Sequence, residues 1–408
     1  MPKAKLYLEV LWGACVSAST EPKSKPRVLF IGPYPPPYAG PEAATELLIK
    51  SSFVDTFDVF HLNTNFRKSN AEKGKIDFIA VTQTALFFLR ILRVLFCKKP
   101  RIVYYFVTAT MRGWIFRDIW VIFLSKIFKA KIIIHMRGGH FRLNYERTIV
   151  ICRWLIQVAC RCVSAALVQS NSLKTQFTGI LNEDRIISIY NAIDTKKYSN
   201  NDLLNYRKRS FLFLGHLSFA KGYCDILKTI PEIADEFPDA MFFFAGSIIS
   251  KEKNVLINQA TGNDLIFIDP NECYHHYIAG KYVSHHKYLG FLNEKQKVEM
   301  LKYCDALLLP SYSEGLPNAV LEAICMGKPV ICSSVGALND IIKDRINGLL
   351  ISPGDVDALK EAIRTLCKDF SLRDSMAKIN YTYARRCFST EIIISQLTKI
   401  IIDIISER

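Results

Sequence analysis

The sequence predicts an α/β protein whose two domains, each a parallel sheet wrapped in helices, face one another across a cleft. Three observations lead there. The chain has 408 residues, a length that suits two domains of ordinary size. Short, largely apolar runs recur along it: Val28–Ile31, Lys131–Ile134, Ala166–Val168, Phe211–Leu214, Ala240–Ala245, Ala306–Leu309 and Val330–Cys332. Runs of that length mark buried parallel strands, and helical patterns between them make βαβ units. The charge also changes midway. Residues 1–200 hold 29 Lys and Arg against 13 Asp and Glu, whereas residues 201–408 hold 24 against 25.

The first half thus carries +16 and the second −1, so the whole of the net charge of +15 belongs to the first half, which favours an anionic partner. No recognised nucleic-acid-binding module occurs, so nucleic acid is not expected. An anionic membrane surface fits better, because the basic residues are interleaved with long apolar and aromatic ones. The twelve cysteines are scattered, mostly in apolar runs, with no C-x-x-C pair. That pattern suits a reduced, cytoplasmic protein with core thiols, not a disulfide framework.

Residues 1–26 are expected to be a disordered extension: Leu6–Ala18 is apolar but broken by Glu9 and too short to span a bilayer. Val28–Ile31 is the first strand, followed by the loop Gly32–Gly40 and a helix over about 41–51. Phe78–Cys97 and Trp114–Lys131 read as two amphipathic helices. The first approaches spanning length, but Arg90 and Arg93 would lie in hydrocarbon, so transmembrane spans are rejected. One face of each helix is expected to pack on the sheet and the basic, aromatic edge to meet a membrane. Lys131–Ile134 is a strand ending in His135-Met136-Arg137-Gly138-Gly139-His140-Phe141, where a ligand site is expected. Ile187–Tyr190 leads to Asn191-Ala192-Ile193-Asp194.

The second half opens with the Phe211–Leu214 strand and the loop Gly215–Gly222, then a helix. The long connection 248–287 holds His275-His276 and His285-His286. Adjacent side chains point apart and no thiol or carboxylate spacing supports them, so no metal site is expected. Asp355-x-Asp357 follows Gly354 and reads as a helix cap. Glu391–Ser406 is apolar at helical spacing.

The most informative stretch is 303–355. Ala306–Leu309 stops at Pro310, a polar loop reaches Glu314-Gly315-Leu316, and a helix is expected from Asn318 to Met326 behind Pro317. Gly327 ends it, and Val330–Cys332 is the next strand. The helix N-terminus points unpaired N–H groups at the strand ends, a site for phosphate. Glu314 and Glu322 can face the same site. Carboxylates repel phosphate but accept hydrogen bonds from sugar hydroxyls. A pyrophosphate on amides, flanked by two such carboxylates, describes a nucleotide-sugar site; the competing reading is a solvated loop Glu and a Glu on the helix dipole.

The ordered set Glu314-Gly315-Leu316-Pro317-Asn318, Glu322, Gly327-Lys328-Pro329-Val330, Gly336 and Asn347-Gly348 resembles the donor-site signature of retaining glycosyltransferases of the GT-B fold, family 4 (glycosyl transferases group 1). The resemblance spans about residues 27–408. It implies two Rossmann-like domains: 27–195 for the acceptor, 196–388 for the nucleotide sugar, and a helix at 389–408 returning to the first. Glu314 would contact the donor sugar, Glu322 the ribose, and the stretch Gly315, Leu316, Pro317, Asn318 and Ala319 the diphosphate, through its N–H groups, of which Pro317 has none. The family's basic pair corresponds to His216 and Lys221, with His where Arg is usual. Its paired glycines before Glu42 correspond to Ala39 and Gly40, so Gly40 is expected at the donor phosphates. Gly290 lies on the strand beneath the base. His135, or its backbone, is expected at the transferred sugar, with His140 as a second candidate, and Arg137 at an anionic acceptor. The resemblance implies no cofactor and no metal, a UDP-sugar or GDP-mannose donor, and a saccharide acceptor, lipid-linked by the family's habit, at the inner face of the plasma membrane. A nucleotide-sugar epimerase and a non-catalytic nucleotide-sugar-binding protein are the alternatives.

Overall fold

The computed structural model describes residues 25–36, 40–65, 78–199, 208–250 and 256–407. Most of the expected 1–26 extension, and Ala39, lie outside the described residues.

Two six-stranded sheets organise the chain. The first contains β1 (Arg27–Gly32), β2 (Asp58–Asn63), β3 (Ile102–Val107), β4 (Lys131–Met136), β5 (Ala165–Val168) and β6 (Ile186–Ser188), in the order β2-β1-β3-β4-β5-β6. Every pairing is parallel. β3 and β5 are buried along their whole length, which is why they read as unbroken apolar runs. The second sheet contains β7 (Ser210–Leu214), β8 (Met241–Ala245), β11 (His286–Gly290), β12 (Ala306–Leu309), β13 (Val330–Ser333) and β14 (Leu349–Ile351), ordered β11-β8-β7-β12-β13-β14 and again parallel. Between β8 and β11 lies a separate antiparallel pair, β9 (Leu256–Ile257) and β10 (Asp264–Leu265), and then the helix Pro270–Tyr277. The 248–287 connection is therefore structured over its described part.

The strand order of each sheet reverses once, between β1 and β3 in the first and between β7 and β12 in the second. In doubly wound sheets the loops at such a reversal part to opposite faces and leave a crevice at the strands' carboxyl ends. The loops carrying Lys221 and Glu314 follow β7 and β12, so the topology alone brings them to one crevice.

The helix Phe78–Lys98 matches the first amphipathic segment. The second begins earlier, at Met111, winds through a π turn over Trp114–Asp118, and ends at Ile127. It stops short of the expected Lys131 because the chain reverses at Lys129, whose φ is 59°, and Lys131 already belongs to β4. No helix of the described residues is long and apolar enough to cross a membrane. Asp355 does cap its helix, accepting from Ala358 N at 2.9 Å.

The C-terminal helix Thr390–Ser406 packs Ile393, Ile394, Leu397, Ile401 and Ile404 against Val28, Phe30, Tyr104 and Ile133 of the first sheet. Its crossing is fastened where Ile193 N donates to Phe388 O at 2.8 Å and Thr390 N to Ile193 O at 3.1 Å.

Candidate active site

Glycine geometry draws the two central loops of the second sheet together. Gly222 has φ 73°, and a Cβ there would lie 2.1 Å from Pro310 O. Tyr312 N donates to Ala220 O at 3.0 Å, and the Phe219 and Tyr312 rings stack 5.2 Å apart. This close packing sets Lys221 beside Glu314. Lys221 Nζ and Ser311 Oγ both donate to Glu314 Oε1, each at 2.7 Å.

One helix turn further, Glu322 is buried on the helix Asn318–Cys325, which starts directly after Pro317. Lys297 Nζ donates to Glu322 Oε1 at 2.6 Å and also pairs with Glu294 at 2.8 Å. Tyr198 Oη donates to Glu294 Oε2 at 3.0 Å. Burial pushes the Glu322 carboxyl upward and the Lys297 ammonium draws it back. Lys297 and Glu294 lie on the helix Glu294–Tyr303, whose start is fixed by a capping box between Asn293 and Gln296.

The first domain reaches across to the same loop. Gln169 Oε1 accepts from Leu316 N at 3.2 Å, and Asn191 Nδ2 donates to Leu316 O at 3.0 Å and to Asn318 Oδ1 at 2.9 Å. Gln169 Nε2 and an Arg137 guanidinium nitrogen donate to Asn191 Oδ1 at 2.8 and 2.6 Å. The Arg137 guanidinium stands 5.1 Å over the Phe106 ring. Burial lowers its pKa to about 10, still far above neutral. The Gly138–Gly139 turn allows this approach: a Cβ on Gly139 would meet Glu314 O at 2.2 Å, and one on Gly336, where φ is 53°, would meet the same oxygen at 2.2 Å. Gly315 likewise has no room for a Cβ, which would lie 2.4 Å from Gln169 Oε1.

The expected residues thus divide. Glu314, Lys221, Glu322, Gly315, Leu316, Pro317, Asn318 and Ala319 belong to one crevice, and His140 joins it by bonding Ser313 Oγ at 2.7 Å. Burial and the Lys221 ammonium lower the His140 pKa, keeping its ring neutral at pH 7. The Leu316 amide is already taken by Gln169. Gly40 opens the helix Gly40–Lys50 opposite the Asn318 side chain, 3.7 Å from where its Cβ would be. His216 is exposed on the loop after β7, and desolvation followed by the Lys221 charge lowers its pKa. Gly290 ends the edge strand β11 with φ 66°.

His135 differs from the expectation that it opens the turn. β4 continues through Met136, and strand alternation turns His135 inward with Ile133. Its Nδ1 and Tyr104 Oη are 2.6 Å apart, and it is 3% exposed. Its ring therefore sits under the C-terminal helix rather than with Glu314 and Lys221.

Lys297, Gln169, Asn191 and Gln259 were not singled out from sequence as site residues. Only Asn191 carried a signal, in the Asn191–Asp194 motif.

The fold has counterparts among known proteins. The chain superposes on Anabaena Alr3699/HepE, solved in complex with UDP, with a TM-score of 0.68 at 17% identity, over 92% of this chain and 100% of that one. It superposes on sucrose-phosphate synthase of Thermosynechococcus elongatus with a TM-score of 0.70 at 15% identity, over 93% and 99% of the two chains. The fold is GT-B. Within this GT-B chain, residues 194–383 match the family described as glycosyl transferases group 1. An uncharacterized glycosyltransferase of Methanocaldococcus jannaschii is 28% identical over 219 residues, 50% of this chain and 51% of the relative. Glycogen synthase of Mycobacterium tuberculosis is 23% identical over 220 residues, 53% and 47% of the two. The aligned part thus spans about half the length of these curated relatives.

Proposed function

We propose that the protein is a retaining glycosyltransferase of family 4 that moves a sugar from a nucleotide-sugar donor to a saccharide acceptor. The observation that carries this reading is the convergence of Lys221, Glu314, Glu322 and the Asn318 helix N-terminus at the switch point of the second sheet, inside the segment that matches the glycosyl transferases group 1. An ammonium and helix amides suit a diphosphate, and the two carboxylates suit sugar and ribose hydroxyls. The solved neighbours include one in complex with UDP-glucose, which supports a nucleotide-sugar donor; UDP-sugars and GDP-mannose both suit the site.

In the proposed reaction the bond between the sugar's anomeric carbon and the diphosphate oxygen breaks. The acceptor hydroxyl oxygen bonds to the same face of that carbon, and its proton passes to the departing diphosphate. Lys221, the neutral His216 as a hydrogen-bond donor, and the amides of Gly315, Asn318 and Ala319 stabilise the charge that develops on the diphosphate. Glu314, held by Lys221 and Ser311, orients the sugar. His140, and the backbone at His135, border the sugar, while Gly40 approaches the phosphates from the first domain and Gly290 underlies the base. Arg137 offers a charge to an anionic acceptor. No step calls for a metal ion. Domain limits at 27–195 and 196–388, with 389–408 returning to the first domain, fit this division of labour.

The acceptor we favour is lipid-linked, in surface polysaccharide or glycolipid synthesis at the inner face of the plasma membrane. Residues 78–182 contain 16 Lys and Arg against two acidic residues. Three helices there, Phe78–Lys98, the run 111–127 and Val150–Arg161, pack side by side on one face of the first sheet, and Leu89, Phe96, Phe116, Trp120, Ile149 and Trp154 stay more than half exposed.

The test is a thermal-shift screen with UDP, GDP and their sugar conjugates, repeated with Glu322→Ala. A ligand that binds the folded state raises its melting temperature. A shift with one nucleotide, lost in the variant, supports the site and names the base; no shift with any of them overturns the reading.

A further inference from the structure

The hairpin between β8 and β11 has no part in the signature around Glu314, yet it enters the crevice. Its turn is rigid. Asn258 Oδ1 accepts from Ala260 N at 3.0 Å, Gly262 N donates to Asn258 O at 2.7 Å, and Gly262 adopts φ 73°. Such local side-chain and backbone bonding fixes a turn without a large core. Beside this turn, Gln259 N donates to Tyr312 O at 2.9 Å, so its backbone runs along the loop that leads to Glu314.

The Gln259 side chain then joins both domains. Its Oε1 accepts from Glu314 N at 3.0 Å and from Ser313 Oγ at 3.1 Å. Its Nε2 donates to Gly139 O at 3.1 Å, an oxygen that also accepts from Gln176 Nε2 at 3.0 Å. Ser313 Oγ in turn meets the His140 ring. At the hairpin's far end Arg147 of the first domain pairs with Asp264 at 2.6 Å and donates to Gly262 O at 2.8 Å. The hairpin is built on the second sheet's domain, and its bonds to the first domain end on the turn and helix that follow β4.

We propose that Gln259 is a positioning residue that ties the Ser313–Glu314 peptide to the Gly139 carbonyl, so that closing the cleft and aiming Glu314 are one event. This inference rests on the donor-site reading given above for its catalytic consequence, though not for its structural one. A side-chain amide suits the task because it offers an acceptor to one domain and a donor to the other from a single planar group. Both ends are occupied here. The Arg147–Asp264 pair is half open to solvent, with side-chain exposures of 43% and 60%, and adds little by itself. The amide, flanked by Gly139 and Glu314, carries the coupling. The glycine at 139 is part of the same device, because a Cβ there would lie 2.6 Å from Gln259 Nε2.

Two variants of the full chain separate the two ends of the link. Gln259→Ala removes both. Gln259→Glu keeps an oxygen for Glu314 N and Ser313 Oγ but loses the donor to Gly139 O. Hydrogen exchange of peptides covering 138–143 and 311–318 is read in each, together with kcat for turnover of the nucleotide sugar and the Kd for the free nucleotide. Expected are faster exchange in both peptides for Gln259→Ala, faster exchange in 138–143 alone for Gln259→Glu, and kcat reduced at least about tenfold in both with the nucleotide Kd within about twofold of wild type. A merely structural residue would lower melting temperature and nucleotide affinity together with kcat. Exchange at 138–143 unchanged in both variants, or kcat unchanged, overturns the proposal. If the wild-type protein binds no nucleotide and turns over no donor, the glycosyltransferase reading fails, while the exchange data still decide whether Gln259 links the domains.

Discussion

The carboxylate of Glu322 lies 2.6 Å from Lys297 Nζ, and both are largely shut off from water, with side-chain exposures of 10% and 18%. The pair joins the signature helix to the helix Glu294–Tyr303 at the place proposed for the ribose. Removing one partner of a buried ion pair leaves an uncompensated charge and costs roughly 3–5 kcal/mol. Lys297→Met is therefore expected to lower unfolding stability by about 3 kcal/mol, the low end because the site is not wholly sealed. Lys297→Met combined with Glu322→Gln, which leaves no buried charge, should recover most of the loss. Urea denaturation of the two variants checks this. Equal stability of Lys297→Met and wild type would mean that water compensates Glu322.

Lys221 bonds to Glu314, yet its proposed partner in the reaction is the diphosphate. The carboxylate fixes the position of the ammonium within the crevice. Lys221→Ala is expected to reduce turnover by roughly 10²–10³-fold, the usual effect of removing one group that stabilises developing charge. His216→Arg places a permanent cation on the same loop and should tighten nucleotide binding severalfold. Steady-state kinetics and calorimetric titration with the nucleotide test the pair. A Lys221→Ala enzyme with full turnover would remove Lys221 from the mechanism.

What could be read from sequence was what repeats locally. Strand β12, the stop at Pro310, the helix behind Pro317 and the Glu314–Glu322 spacing all follow from short-range rules, and the structure keeps them. The strand order, which makes the β7 and β12 loops neighbours, is not a local property. Neither are the partners it supplies: Lys297 belongs to a helix with its own cap and charge pattern, and Gln169 and Gln259 are uncharged residues in segments without periodicity. Nothing marks such an amide until the fold brings an opposite group within reach. His135 was legible in part. Extending β4 by two residues puts it on the inward face with Ile133 by simple alternation, but the Gly138–Gly139 turn next to it suggested an earlier strand end.

Acid should weaken the fold through its histidines. His61, His135, His140, His216 and His286 all have pKa values lowered first by burial. For His286, which stacks 4.4 Å from the Phe244 ring and meets Tyr223 Oη at 3.1 Å, the value falls to about 4. The unfolded chain takes up a proton near pH 6.5, before the folded one does. The contribution of His286 is therefore complete above pH 6.5 and is lost as the pH falls toward 4. Glu294, whose carboxyl is raised by burial but brought down to about 2 by Lys197 and Lys297, acts only below the ordinary carboxylate range and leaves this window clear. Unfolding free energy should be nearly level from pH 7.5 to 6.5 and fall from there to pH 5.5, at no more than about 1.4 kcal/mol per pH unit for each proton. His286→Phe, which keeps the ring stack, should show a shallower fall. An identical slope in wild type and variant would remove His286 from the acid response.

Membrane contact gives the sharpest prediction about the basic domain. On the helix Phe78–Lys98, Phe87, Ile91 and Leu95 are buried, while Leu86, Leu89, Arg90, Arg93 and Phe96 face outward. Exposed apolar residues and exposed arginines thus share one stripe, as in helices that lie in a lipid interface. Between parallel strands the connecting helices run back, so their N-terminal ends lie near the strands' carboxyl ends. That places Phe116, Ile149 and Trp154 toward the cleft, where the proposed lipid-linked acceptor would enter. Each basic residue near an anionic surface adds about 1 kcal/mol, which salt screens. Reversing two, Arg90→Glu with Arg93→Glu, should weaken binding to phosphatidylglycerol vesicles by at least about 100-fold. Trp120→Ser with Trp154→Ser should weaken it with less salt dependence and leave the melting temperature nearly unchanged, since both side chains are more than half exposed. Vesicle sedimentation at low and high salt, against phosphatidylcholine controls, measures both. Binding that ignores lipid charge, or that survives the arginine reversals, would mean that this face meets something other than an anionic membrane.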